Sequence, residues 1–484
     1  MARSKIKPLS FLSVFLLGVD GIVGSGIFLM PSRVYAKVGD LSAGLMMLAG
    51  ISVLMIALCF ANLASKIPGD GGAWLYTYTA FGRFAGFEIG IFTWLLGVIT
   101  MATEISAFVT SLRSVFPSLN QHGNYLMAAL GILAVLTILN LFGPSLMDWV
   151  DNISTVAKIG VLVLFVGMGL FFIHPANYAN VSAGMSNGSS LFGRINTGFG
   201  MVFYMFTGFS FLPIAASKMD HPEKTLPKAL ISVLLTSATL YMIVQLTAIG
   251  VSGSSLANDN VPIAASFYRL AGTVGYDLAL VGMLISILGV ALSVSFSTPT
   301  IASSLASEHQ LLPRVLGRQN KRGVPIVSLL LSCGLCALML FSGNYLFLAS
   351  AIVFTSFMQY VPTILAAIKL RNHTKLPLGF RLRGGNLIPI IALLVTAYLI
   401  FSFSLELIIA GVLIFPRFGK GNLQKPKRAP EQNIKFCQAP LISHSIRRTV
   451  PLASFRHPGA FKVEIPTPPV SDCPWSCKNR WSPR

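Results

Sequence analysis

Charge is what this 484-residue chain has least of. Only 11% of its residues are Asp, Glu, Lys or Arg, and just 16 are acids, against roughly a quarter charged residues in soluble domains. Histidine is also sparse. The seven (His122, His174, His221, His309, His373, His444 and His457) are scattered and form no clustered His/Glu/Asp set of the kind a polytopic membrane enzyme needs. That class stays a remote alternative, and no catalytic residue is expected. No G-x-x-x-x-G-K-[ST] segment is present, so the chain is not expected to hydrolyse ATP itself. Cysteine is limited to six residues. Cys59, Cys333 and Cys336 lie in apolar runs and read as small buried hydrophobes. The C-x-x-C spacing of Cys333 and Cys336 lacks a second ligand pair, so neither a metal nor another cofactor is expected. The net charge of +20 comes without the interleaved aromatic and basic pattern of a nucleic-acid surface.

Long apolar runs take the place of charge. Hydrophobic residues make up 54% of the chain and its mean hydropathy is +0.72. Windows of about twenty apolar residues, enough to cross a bilayer, recur along it. They predict an all-α integral membrane protein with twelve helices, near 10–35, 42–65, 86–112, 124–142, 146–173, 195–216, 228–251, 276–306, 325–342, 345–369, 387–402 and a short 404–415. The first apolar segment is too long for a cleavable signal and has no small-residue cleavage site.

Lys and Arg placement gives an orientation. Arg3, Lys5 and Lys7 precede the first helix; Lys66/Arg83, Lys218/Lys224/Lys228, Arg314/Arg318/Lys321/Arg322 and Lys369/Arg371/Lys375/Arg381/Arg383 fall on the same side. The opposite loops hold few cations: Arg33, Lys37, Arg113, Arg194 and Arg269. The bias predicts a multi-pass protein of the cell membrane with both termini cytoplasmic, so much of the net charge is topology. The chain divides into a transmembrane domain, 1–415, and a tail, 416–484. The tail carries 11 of the 27 prolines and 13 of the 36 Lys and Arg residues, a composition that buries too little apolar area to offset ordering entropy. It is expected to be a disordered cytoplasmic segment.

The most informative stretch is Gly18-Val19-Asp20-Gly21-Ile22-Val23-Gly24-Ser25-Gly26-Ile27-Phe28-Leu29-Met30-Pro31. Gly24, Ser25 and Gly26 lie near the middle of an apolar span, where helix propensity is poor. An unwound turn there is tolerated only where it lines a protein cavity and its freed backbone groups bind something polar. The N-terminus of the second half-helix, from about Ile27, would aim N–H dipoles at the gap and suit a carboxylate. The alternative is a packing motif in which small residues let another helix approach. A second Gly/Pro-interrupted span, 195–216, contains Gly198, Gly200, Gly208 and Pro213 among Phe199, Phe203, Tyr204, Phe206, Phe209 and Phe211. Such rings can form an apolar lid over a substrate, or simply face core or lipid.

Four segments in register carry a resemblance. Gly24-Ser25-Gly26-Ile27-Phe28 with Pro31 resembles the helix 1 signature of the amino acid–polyamine–organocation (APC) permeases. Ile67-Pro68-Gly69-Asp70-Gly71-Gly72-Ala73-Trp74-Leu75-Tyr76 with Phe81-Gly82 resembles the segment between their helices 2 and 3. Phe206-Thr207-Gly208-Phe209 with His221-Pro222-Glu223-Lys224-Thr225-Leu226-Pro227-Lys228-Ala229 resembles their helix 6 break and the loop after it. Leu311-Leu312-Pro313 with Val324-Pro325 resembles the loop after helix 8. The resemblance spans about 1–400. It implies a LeuT-type fold, a 5+5 inverted repeat of transmembrane helices with helices 1 and 6 broken and helices 11 and 12 peripheral. It also implies a substrate site at Gly24, Ser25, Gly26, Ile27, Phe203, Tyr204, Phe206 and Gly208, with Tyr204 as a gating aromatic.

Lys158 is the most telling single charge, because a lysine at the bilayer centre costs several kcal/mol and marks a functional site by default. In sodium-independent APC permeases a lysine on helix 5 stands in place of a bound sodium ion, and Lys158 falls at that position. A snorkelling lysine nearer the cytoplasmic end is the plainer alternative. Asp20 and Glu104 are acids in apolar surroundings; each is a candidate to pair with Lys158, bind a substrate ammonium or carry a proton, and Asp20 is preferred as nearer the break. Glu88 reads as interfacial. Many family members carry glutamate where this chain has Ser210, so that carboxylate is not available. The expected function is a sodium-independent, proton-coupled amino acid permease of the cytoplasmic membrane, with Lys158, Asp20 and Tyr204 in coupling and gating. Its partners would be an amino acid, a proton and the lipid bilayer, with no nucleic acid. An exchanger, or a polyamine or amine transporter of the same family, is the alternative.

Overall fold

Within hydrocarbon a backbone must satisfy its own polar groups, and an apolar segment does so as a helix. The computed structural model describes residues 9–403 except 68, 70, 179–189, 220, 308–309, 321, 374–375, 378 and 383. Thirteen α-helices form among them: α1 (Phe11–Ile22), α2 (Ser25–Val38), α3 (Leu41–Lys66), α4 (Ala73–Phe81), α5 (Arg83–Leu112), α6 (His122–Asn140), α7 (Pro144–Gly169), α8 (Leu191–Met205), α9 (Pro222–Ser252), α10 (Pro262–Ser307), α11 (Ile326–Leu340), α12 (Tyr345–Lys369) and α13 (Leu387–Leu399). Among the described residues the only β pairing is a bridge between Leu9 and Met219. Eight helical segments are long and apolar enough to cross a membrane, and nine when α1 and α2, bent by 44° at their junction, count as one span. Helices α11 and α13 are shorter apolar helices. The expected twelfth helix, 404–415, and the tail, 416–484, lie outside the described residues.

The sequence places the long spans well and the short pieces poorly. A twenty-residue apolar window does not register a helix of two or three turns. Helix α4 is one such case, in a segment read as a connection. Another is the first part of α10, which begins at Pro262 and kinks at Ala271–Gly272, where the sequence places a helix start near 276. Helix α9 begins at Pro222, within the stretch read as a loop, because proline is well suited to the first helical position. The span 195–216 is α8 followed by a 3-10 segment, Phe209–Lys218.

Small residues set the helix crossings. Helix α3 packs on α9, and α10 lies along α5 and α7. A β-carbon at Gly97 would run into Thr298, and one at Gly289 into Ser154. Hydroxyls inside the spans bond to carbonyls four residues back, as Thr93 does to Ile89 at 2.7 Å and Thr103 to Ile99 at 2.7 Å, so they need no water. Glu88 departs from expectation: it is buried, not interfacial. Two residues on, Gly90 packs on Leu305 of α10.

Candidate functional site

Breaking the first span frees backbone groups on both sides, and each has to find a partner. The break falls at Val23 and Gly24, one residue before Ser25 opens α2. On the α1 side, Ile22 O accepts the Tyr241 hydroxyl of α9 at 2.9 Å. Val23 O and Asp20 O accept Lys158 Nζ at 2.8 and 3.3 Å. The freed carbonyls are thus held by side chains of two other helices.

Lys158 projects from α7 and is fully buried, which removes the snorkelling alternative. Besides the two carbonyls, its Nζ bonds Asp20 Oδ1 at 2.8 Å, so all three ammonium protons have acceptors. Thr155, one turn earlier on α7, donates to the same Oδ1 at 3.0 Å. Asp20 Oδ2 is buried with no donor among the described residues. The ammonium of Lys158 is thus held by two backbone carbonyls and one carboxylate oxygen.

The α2 side of the break is filled differently. Glu104 of α5, buried at 4% exposure, lays its carboxylate across the helix start. Its Oε2 accepts from Ser25 N at 3.2 Å and its Oε1 from Ser25 Oγ at 2.9 Å, an anion on a helix N-terminus. A β-carbon at Gly24 would stand 3.0 Å from Glu104 Oε1. Ser25 Oγ also meets the Tyr204 hydroxyl at 2.9 Å and accepts the Tyr345 hydroxyl at 3.4 Å. The two tyrosine rings stand edge to face, 6.1 Å apart. At this helix start, where the sequence suggests a place for a substrate carboxylate, the group bound is the side chain of Glu104.

The second interruption lies against the first. Gly208 has φ +97°, open to glycine at no steric cost, and a β-carbon there would collide with Gly21 O. Gly26 packs on α8, where a β-carbon would lie 3.1 Å from Met205 Cγ. The glycines of the break are therefore packing residues as well as breakers. Of the expected aromatic set, Tyr204 alone reaches Ser25. Phe203 lies at a tilt to Phe199 and Tyr360, with ring centroids 6.0 and 6.2 Å apart, and Phe206 lies 5.0 Å from the Tyr241 ring. Ile27 is fully buried. The carbonyls of Phe203 and Tyr204 accept the backbone N–H groups of Phe206 and Thr207, each at 3.1 Å.

Four partners at the break escape a sequence reading or are underweighted by it. Glu104 is visible as an acid in an apolar run, but nothing local ties it to Ser25. Thr155 sits one turn from Lys158, yet a membrane threonine is unremarked without a neighbour to bond. Tyr241 and Tyr345 carry no local signal. Tyr345 also lines a cavity of about 320 Å³, together with Arg33, Arg113, Asn260 and Asn344 among others.

Similarity to known proteins agrees with this arrangement. The amino acid permease family profile matches residues 9–423. An uncharacterized transporter of Mycobacterium tuberculosis is 30% identical over 426 residues, covering 82% of this chain and 88% of that protein. The serine/threonine exchanger SteT of Bacillus subtilis is 25% identical over 381 residues, 76% of this chain and 84% of that one. Cationic amino acid transporter 4 of Mus musculus is 27% identical over 359 residues, 70% and 56% respectively. With apolar helices throughout, a first span broken at mid-length, and a family match over most of its length, this chain is a multi-pass membrane protein that belongs to the amino acid permease family, a family of transporters and not of enzymes.

Proposed function

We propose that this chain carries amino acids across the cytoplasmic membrane by alternating access, without sodium and coupled to protons, with both termini in the cytoplasm. The proposed frame is the LeuT-type 5+5 inverted repeat, with α1 and α2 as helix 1 and α8 with its 3-10 continuation as helix 6. The observation that carries the reading is Lys158, whose buried ammonium ties α7 to the carbonyls of Asp20 and Val23 and to the Asp20 carboxylate. A resident ammonium at that point replaces an external cation, so no sodium is required.

The substrate carboxylate takes the N–H groups of Ser25 and Gly26, and Glu104 makes that step conditional. Two carboxylates cannot share one helix start without strong repulsion. A proton on Glu104 removes its charge, loosens its hold on Ser25 N and Oγ, and clears the position for substrate. Tyr204, bonded to Ser25 Oγ, gates the site from α8. Carbonyls at the second interruption, near Phe203, Tyr204 and Phe206, receive the ammonium. An exchanger is supported by likeness to the serine/threonine exchanger; it uses the same site with a different cycle. Proteoliposome uptake of radiolabelled amino acids, with and without amino acid inside, separates the two. Acidifying the outside should raise initial rates in the proton-coupled case, and an absolute need for internal amino acid would favour exchange.

A further inference from the structure

A cavity lined in part by Tyr345 has a volume of about 320 Å³, within the ~300–1,000 Å³ typical of small-molecule pockets. Two guanidinium groups line it, Arg33 from α2 and Arg113 from the C-terminal end of α5. Both are anchored by neutral groups. Arg33 Nη2 donates to Asn260 Oδ1 at 3.2 Å. Arg113 Nε donates to Leu119 O at 3.2 Å, with its guanidinium 5.0 Å from the Tyr125 ring centroid. Asp259, next to Asn260 in the chain, lies 3.9 Å from Arg269. Among the described residues neither Arg33 nor Arg113 is paired with a carboxylate.

In the proposed orientation this end faces outward, the side on which membrane proteins generally carry few cations. Two arginines lining one cavity there give its mouth a positive field, and their forked donors match a carboxylate. Tyr345, whose hydroxyl bonds Ser25 Oγ, is among the residues that line the cavity. We infer that this cavity is an outer binding site for the carboxylate of an amino acid whose side chain carries no positive charge. A substrate docks there on Arg33 and Arg113, then passes Tyr345 to the helix start at Ser25. The same field rejects lysine and arginine. This inference rests on the permease reading and names the substrate class of that site.

The test is uptake by the full chain in proteoliposomes, using radiolabelled L-serine, L-leucine, L-glutamate, L-lysine and L-arginine. Neutral or acidic probes should accumulate and the two cationic ones should not. For an accumulated probe, Arg33→Gln and Arg113→Gln should each raise KM about tenfold with the maximal rate retained, as expected for loss of one charge-assisted contact. Arg113→Lys, which keeps the charge, should recover much of the affinity; Arg33, exposed at the surface, gives a variant with little risk of misfolding. Unchanged KM in Arg33→Gln and in a folded Arg113→Gln, or lysine carried as well as serine, would overturn the outer site while leaving the permease reading intact. No uptake of any probe overturns both.

Discussion

Lys158 concentrates the argument at the scale of single residues, because it is fully buried and its three protons are spent on Asp20 and on two carbonyls that the break sets free. Removing it in Lys158→Ala leaves the Asp20 carboxylate buried without a cation, a loss of about 3–5 kcal/mol by analogy with other broken buried pairs. The thermal midpoint in detergent should fall, and Asp20→Asn in the same chain should restore part of it, a coupling that a double-mutant cycle measures. Concentrative uptake should be lost in Lys158→Ala and also in Lys158→Arg, since guanidinium neither fits this cradle nor gives up a proton. Glu104 is the second test. Glu104→Gln mimics the protonated acid at the Ser25 helix start, so uptake down a gradient should persist while its dependence on external pH disappears. An unchanged pH response in that variant would take Glu104 out of the coupling step.

Among the elements, the two interrupted spans depend on glycines that serve both as breakers and as contact surfaces. Gly208 combines a φ of +97° with direct apposition to Gly21 O. Gly208→Ala should therefore lower stability by about 1–3 kcal/mol from backbone strain, with collision against Gly21 in addition. Gly26→Val and Ser25→Leu should insert in the membrane yet fail to transport. Bulk at Gly26 drives α8 away through Met205, and bulk at Ser25 displaces both Glu104 and Tyr204. The break itself is legible in the sequence, because Gly24-Ser25-Gly26 in a long apolar run conflicts with uninterrupted helix. Lys158 and Asp20 are legible for the same reason, as charges where hydrocarbon is expected. The partners of the break are not. Tyr241 and Tyr345 come from helices more than 200 residues away in sequence, and only the packing of α9 and α12 brings their hydroxyls to it. Phe203 and Phe206 show the converse: dense aromatics suggest a substrate lid, yet neighbouring rings on other helices draw both into the core.

For the whole molecule, a bundle of apolar helices encloses one polar centre, where the two interrupted spans meet and where the Lys158 ammonium and the Glu104 carboxyl group hold groups freed by the break; in the proposed cycle they stand in for a cation and for the substrate carboxylate. The proposed function depends most on the cation position, since an ammonium resident there would leave no vacancy for sodium. Initial rates of amino acid uptake into proteoliposomes, measured at fixed pH with sodium replaced by choline, test this most directly. The expected result is a rate that does not change on replacement. A strict, saturable requirement for sodium would contradict the account.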